Sequence, residues 1–202
     1  MKYHTTLLED WIKDLLHNLG IHHPHQLNFD ILTQRLGLIV IEKPIKSRIY
    51  NGVVFIDSRL TSEQEKWQVF AHELKHYLRH AGNQLLLPKP FVDLQEKQAE
   101  NFAHHLCVPT FMLLNYEIAN YTNLEDGIRF ISDTFNVTGE FAKKRLQHFR
   151  NQIQQAQSNE KFQSDFLTSK NYYKNIPDRK MPLHAQELAN LAIQLRESRG
   201  TY

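Results

Sequence analysis

His72 and His76 stand four residues apart, with Glu73 between them. On a helix that spacing places two imidazoles about one turn apart on one face, where both can ligate a single metal ion. The glutamate beside them can act as general base for the water that such an ion activates. The chemistry indicated is hydrolysis. Three fixed positions in five also recur by chance, so the setting has to decide.

Residues 63–81 carry a helical pattern. At about 100° per residue, Trp67, Phe70, Ala71, Leu74, Leu78 and Ala81 gather on one side, while His72 and His76 fall opposite and Glu73 lies near the boundary. One face anchors the helix and another is left for chemistry. The plainer alternative is a solvated face that carries histidines by accident.

A catalytic zinc commonly takes three protein ligands, so a third is needed. Residues 92–107 read as a second helix that stops before Pro109. On it Glu96, Ala99, Glu100, Ala103 and Cys107 share a face. Small alanines beside two carboxylates suit close packing against the histidine helix. Glu96 is then the ligand, and Glu100, one turn on, is placed to accept a hydrogen bond from a ligand histidine.

The segment His72-Glu73-Leu74-Lys75-His76, followed by Glu96-Lys97-Gln98-Ala99-Glu100-Asn101-Phe102-Ala103 and a Leu106-Cys107-Val108-Pro109 ending, resembles the ImmA/IrrE family of metallopeptidases. The likeness spans roughly residues 5–150. It implies a zinc-dependent, gluzincin-type endopeptidase, with Mn2+ or Fe2+ as other metals for the same ligands. Its implied substrate is a helix-turn-helix repressor, whose cleavage induces a mobile element or a stress response. Lys75 stands where the family has a small residue, and Glu100 where Asn or Asp is usual.

A chain of 202 residues with 41% hydrophobic and 23% charged residues can bury a real core. No stretch approaches the length of apolar sequence that spans a membrane, and acidic residues come too early for a signal peptide. A single cysteine, Cys107, allows no internal disulfide and suits a reducing cytoplasm; its expected role is that of a small buried apolar group. Residues 139–202 hold 11 Lys or Arg against 6 Asp or Glu, but these charges are scattered rather than clustered.

In chain order, residues 5–19 read as an amphipathic helix closed by Gly20, and Asn28 as the N-cap of a helix over 29–36. His22, His23 and His25 crowd a proline-containing connector, a poor arrangement for convergent ligation. Residues 38–42 form a strand, and Asn51-Gly52 between 48–50 and 53–57 marks a hairpin. Residues 82–90 are an irregular loop. His80, His104 and His105 lie close in sequence to the ligands and read as structural, although one of them in such a site could steady a developing oxyanion.

Residues 124–146 resemble the bihelical part of a helix-turn-helix, with Val137 and Thr138 at the turn. Lys143, Lys144 and Arg145 could touch phosphate there, but packing beside the peptidase is the preferred reading. Residues 151–163 are Gln- and Asn-rich and read, like 169–182, as a linker of low order. An amphipathic helix is expected over 184–196.

The fold class expected is α+β, mostly helical, with a small antiparallel sheet beside the active-site helix. The domains are a zincin-like core over 1–109, a helix-turn-helix-like module over 110–150, and a linker with a terminal helix over 151–202. The competing functional class is a metal-containing regulator that binds DNA or its repressor without cutting it.

Overall fold

The computed structural model describes residues 3–79, 87–116 and 123–174, with side chains described as far as Phe166. The chain divides into two compact units, residues 1–156 and 157–202. The site lies in the first.

Helix α1 (Leu7–Asn18) opens with a capping box: the Thr6 hydroxyl accepts from the Glu9 N–H and the Glu9 carboxylate accepts from the Thr6 N–H at 2.6 Å. Ile12 and Leu16 point into the core. After a short 3-10 turn (Pro24–Gln26), α2 (Phe29–Arg35) starts at Asn28, whose side chain accepts from the Ile31 N–H at 2.8 Å. Both caps sit where the polar N-cap residues place them.

Three strands follow: β1 (Ile39–Lys43), β2 (Arg48–Tyr50) and β3 (Val53–Asp57). The β2–β3 hairpin turns through Asn51 at φ 47° and Gly52 at φ 75°, the paired positive angles that an Asn-Gly turn tolerates best. The sheet is mixed, not antiparallel as the sequence suggests. Its order is β1-β3-β2, with β1 parallel to β3 and β2 antiparallel to it. Returning through the hairpin, β3 inserts between its two predecessors and aligns Val40 with Val54 and Ile41 with Phe55. The alternation of β3 explains its central place, since Val54 and Ile56 are fully buried.

Helix α3 (Glu63–Arg79) lays Trp67, Phe70, Ala71 and Leu74 on the core. Leu78 is partly buried beside them, and Ala81 lies outside the described residues. Helix α4 (Lys89–Cys107) begins earlier than its apolar periodicity indicates, with Pro90 in the first turn, where the missing N–H costs nothing. It buries Ala99, Phe102, Ala103, Leu106 and Cys107. Helices α3 and α4 pack against each other.

A short α5 (Thr110–Leu113) and α6 (Leu124–Phe135) lead through left-handed Asn136, φ 50°, to α7 (Gly139–Lys174). Ile128, Ile131, Phe135, Val137, Ala142 and Leu146 belong to the same apolar core as α3 and α4. The helix-turn-helix-like segment is therefore built into the first unit. Residues 151–163, expected to be a linker, are continuous helix within α7, and Ile153 and Ala156 are buried. Amides dominate the sequence there, but Ile153 and Ala156 follow Phe149 at helical spacing and extend its packed face. Residues 184–196 lie outside the described residues.

Candidate metal centre

With its apolar face on the core, α3 turns His72 and His76 toward α4, which supplies Glu96. His72 Nε2 lies 3.1 Å from Glu96 Oε2, His76 Nε2 lies 3.4 Å from Glu96 Oε1, and the two Nε2 atoms are 3.2 Å apart. Among the described residues this is the group of three or more ligating side chains whose atoms meet within 4.8 Å. Ligands about 2.0–2.1 Å from one tetrahedrally held ion stand about 3.3 Å from each other. The observed separations match that spacing, so the donor set fits a divalent cation.

Glu73, between the histidines, is half-buried. Burial pushes its carboxyl up to about 7; the Lys46 charge opposes this and the Glu96 charge adds to it. A carboxylate poised near neutrality suits proton transfer. His72 and Glu73 open on a cleft of about 510 Å3. Its walls come from the β1–β2 turn (Lys46, Ser47), the end of β3 and beyond (Asp57, Arg59, Leu60), α3, α4 and the start of α7.

Glu100 lines this cleft but turns elsewhere. Among the described residues its carboxylate meets Lys144 Nζ at 3.3 Å and His104 Nε2 at 3.9 Å, not His72 or His76. His104 is set against the Phe141 ring at 4.2 Å between centroids, and its buried Nδ1 has no hydrogen-bond partner among the described residues. Burial pulls its imidazole down to about 4. Eight residues beyond Glu96 on α4, it is about 12 Å further along the axis, too remote to donate at the metal.

His105 faces the other way, with Nδ1 3.6 Å from Glu9 Oε1 and, among the described residues, no hydrogen bond to that nitrogen. Burial, then the Arg145 charge, pull it down to about 2. Cys107 is fully buried and its thiol is pushed well up by burial, an inert packing group. His23 and His25 stack at 5.6 Å without converging on a ligand point. His80 lies outside the described residues.

The sequence did not reveal the buried Arg145. Its Nε donates to the Val108 carbonyl at 3.1 Å and its Nη2 to Thr110 Oγ1 at 2.7 Å, while Thr110 donates to Glu9 Oε1 at 2.5 Å. Tyr3 Oη stands 2.6 Å from the same Glu9 oxygen and also meets Gln152. Arginine and glutamate are both hidden, linked through one hydroxyl. The cleft residues Lys46, Thr138 and Phe141 were equally illegible, because they reach the site only through tertiary packing.

Comparison with known proteins identifies relatives of the chain. The chain is 39% identical over 145 residues to the phage-like element PBSX protein XkdA of Bacillus subtilis (strain 168), covering 70% of this chain and 72% of XkdA. It is 34% identical over 161 residues to YqaB of the same organism, covering 77% of this chain and 91% of YqaB. A solved Mycobacterium tuberculosis transcriptional regulator superposes with a TM-score of 0.50 at 16% identity, over 67% of this chain and 44% of that one, a likeness of fold alone. The Peptidase_M78 profile, described as the IrrE N-terminal-like domain, matches residues 26–147. That span includes both histidines, Glu73 and Glu96, and the chain belongs to the Peptidase_M78 family.

Proposed function

We propose that this protein is a zinc-dependent endopeptidase that cleaves a helix-turn-helix repressor and thereby induces a mobile element. The observation that carries the reading is the convergence of His72, His76 and Glu96 on one point, with His72 and its neighbour Glu73 opening on the cleft. Zinc suits two imidazoles and a carboxylate; Mn2+ and Fe2+ are the competitors for the same donors. When bound, the cation supplies Lewis acidity toward water and the scissile carbonyl.

The chain's own residues do the rest. His72 and His76 hold their rings toward one point because α3 is pinned by its buried face. Glu96 closes the donor set from α4. Glu73 accepts a proton from the attacking water and returns it to the leaving amine, the two transfers that peptide hydrolysis requires. Lys46, with its charge set against Glu73, restrains the rise of the carboxyl and keeps it able to act as a base.

The repressor as substrate rests on family membership, and the mobile-element context on likeness to a phage-like element protein. A DNA-reading role is less well supported. Of the three cations offered for phosphate, Arg145 is fully buried and Lys144 is paired with Glu100. Among the described residues no helix is long and apolar enough to cross a membrane, in keeping with a cytoplasmic site of action.

The deciding experiment mixes the zinc-loaded protein with candidate helix-turn-helix repressors and follows fragments by mass spectrometry. One specific cut that disappears on chelation supports the reading. Stable binding with no cut by the loaded protein would leave it a sequestering regulator.

A further inference from the structure

The three-stranded sheet has two faces, and the core uses one of them. Ile49, Val54 and Ile56 turn inward toward α3, which packs on β2 and β3 and sends Lys66 to Glu42. The strand register sets Ile39 beside Val53 and Tyr50, and Ile41 beside Phe55 and Arg48, on the opposite face. Among the described residues, no apolar member of that outer face belongs to the core or packs against it. Ile39 is 63% exposed and Tyr50 68%, while Ile41, Val53 and Phe55 are half-buried. Contiguous apolar surface of this kind marks a docking site.

Its dimensions and charge narrow the occupant. Strands β1 and β3 have five residues each, so the face is about 16 Å long and, across three strands, about 10 Å wide. That is the width of one α-helix and the length of about three of its turns. Lys43 and Arg48 are exposed on this face, and among the described residues neither has an ion-pair partner. Asp57, beside Lys43 in the register, is taken by Arg59 in two hydrogen bonds. A second copy laid face to face would bring these cations together, which disfavours it. Arg48 lies over the Phe55 ring at 5.5 Å and covers the surface on which a nucleobase would stack. A helix whose apolar stripe is edged with carboxylates matches both the strip and the cations.

From this we infer that the outer face of the sheet docks an amphipathic helix of a partner protein, about three turns long, with acidic residues along its apolar stripe. The face is on the side of the sheet away from α3 and its histidines. The inference holds whether or not the metal centre cuts peptide bonds.

Two helical peptides test it, each with leucines at i, i+3, i+4 and i+7, one edged with Glu and the other with Lys. Each is titrated into the 15N-labelled full-length protein, and the amide resonances of β1, β2 and β3 are followed. The Glu-edged peptide should shift these amides and bind about 5-fold tighter than the Lys-edged one, or more. Lys43→Glu combined with Arg48→Glu should reverse that order. Ile39→Ser combined with Tyr50→Ser should weaken both peptides by about 10-fold or more, with an unchanged melting temperature as the check on folding. Equal affinities for the two peptides, binding that survives both double substitutions, or no strand shift at about 1 mM peptide overturn the inference. So does a single-stranded oligonucleotide, or a second copy seen by sedimentation, that binds this face and is lost with Ile39→Ser and Tyr50→Ser.

Discussion

The proposal stands or falls on Glu73. Replacing it by Gln keeps shape and volume but removes the proton acceptor. Glu73→Gln should retain stoichiometric zinc and lose about 100-fold or more in cleavage rate, the usual contribution of a positioned general base. Wild-type rates in that variant would remove Glu73 from the chemistry. The third ligand gives a second contrast. Glu96 meets both histidines, whereas Glu100 is engaged by Lys144. Glu96→Ala should weaken zinc binding by orders of magnitude in a chelator titration, and Glu100→Ala by less than about 10-fold, the lower bound for losing a group that orients a ligand. An emptied site in Glu100→Ala with a filled one in Glu96→Ala would reverse the assignment. At this scale the sequence was highly legible where the chemistry is local. Helix periodicity, with the family's Glu-x-x-Ala pattern to choose between Glu96 and Glu100, anticipated that His72, His76 and Glu96 come together, but the partner of Glu100 lies 44 residues away on α7, and no spacing rule reaches it.

Between elements, the governing feature is the polar junction of α1, α5 and α7. Arg145 is fully buried and Glu9 nearly so, and Thr110 joins them by donating to one and accepting from the other. Burial pulls the guanidinium down to about 10, so it remains charged at neutral pH. Removing one member of such a pair strands the other without solvent. Arg145→Met should therefore cost about 3–5 kcal/mol, read by urea unfolding. Glu9→Gln added to Arg145→Met should cost less than the two single losses together, because the stranded charge is gone. A loss below about 1 kcal/mol for Arg145→Met would show that the junction only fills space. Sequence reading fails here for a physical reason: a Lys143-Lys144-Arg145 run looks solvated, and only the fold shows that the third position points inward. The same holds for the sheet. Asn51-Gly52 specified the hairpin, but nothing local tells β1 to pair in parallel with β3 rather than with β2. The capped helices α1 and α2, whose signals are entirely local, were read almost to the residue.

For the molecule as a whole, the boundary and the acid limit can both be tested. Truncation after Arg150 would remove Gln152, which meets Tyr3, together with buried Ile153 and Ala156. It should destabilise by about 2–5 kcal/mol, as large apolar deletions do. Truncation after Ala156, at the limit of the first unit, should cost much less. The acid limit follows from buried imidazoles. His104 is held down to about 4 and His105 to about 2, chiefly by burial, and His148 is also lowered. An unfolded histidine titrates near 6.5, so between about 6.5 and 4 the unfolded chain takes up protons at these positions that the native state refuses. Stability is then fully present above about 6.5 and falls as pH drops. In the metal-free protein Glu73 acts in the opposite sense: with its carboxyl raised to about 7, the native state gains a proton first. The two effects nearly cancel at pH 7; below about 6, two or three histidines against one carboxyl leave a net uptake by the unfolded chain of about one to two protons, or about 1.4–2.7 kcal/mol per pH unit. Urea midpoints of the metal-free protein measured from pH 7 to pH 5 should decline accordingly, and His105→Gln should flatten the decline. A midpoint that stays level or rises on acidification would mean that these imidazoles take up protons in the folded protein.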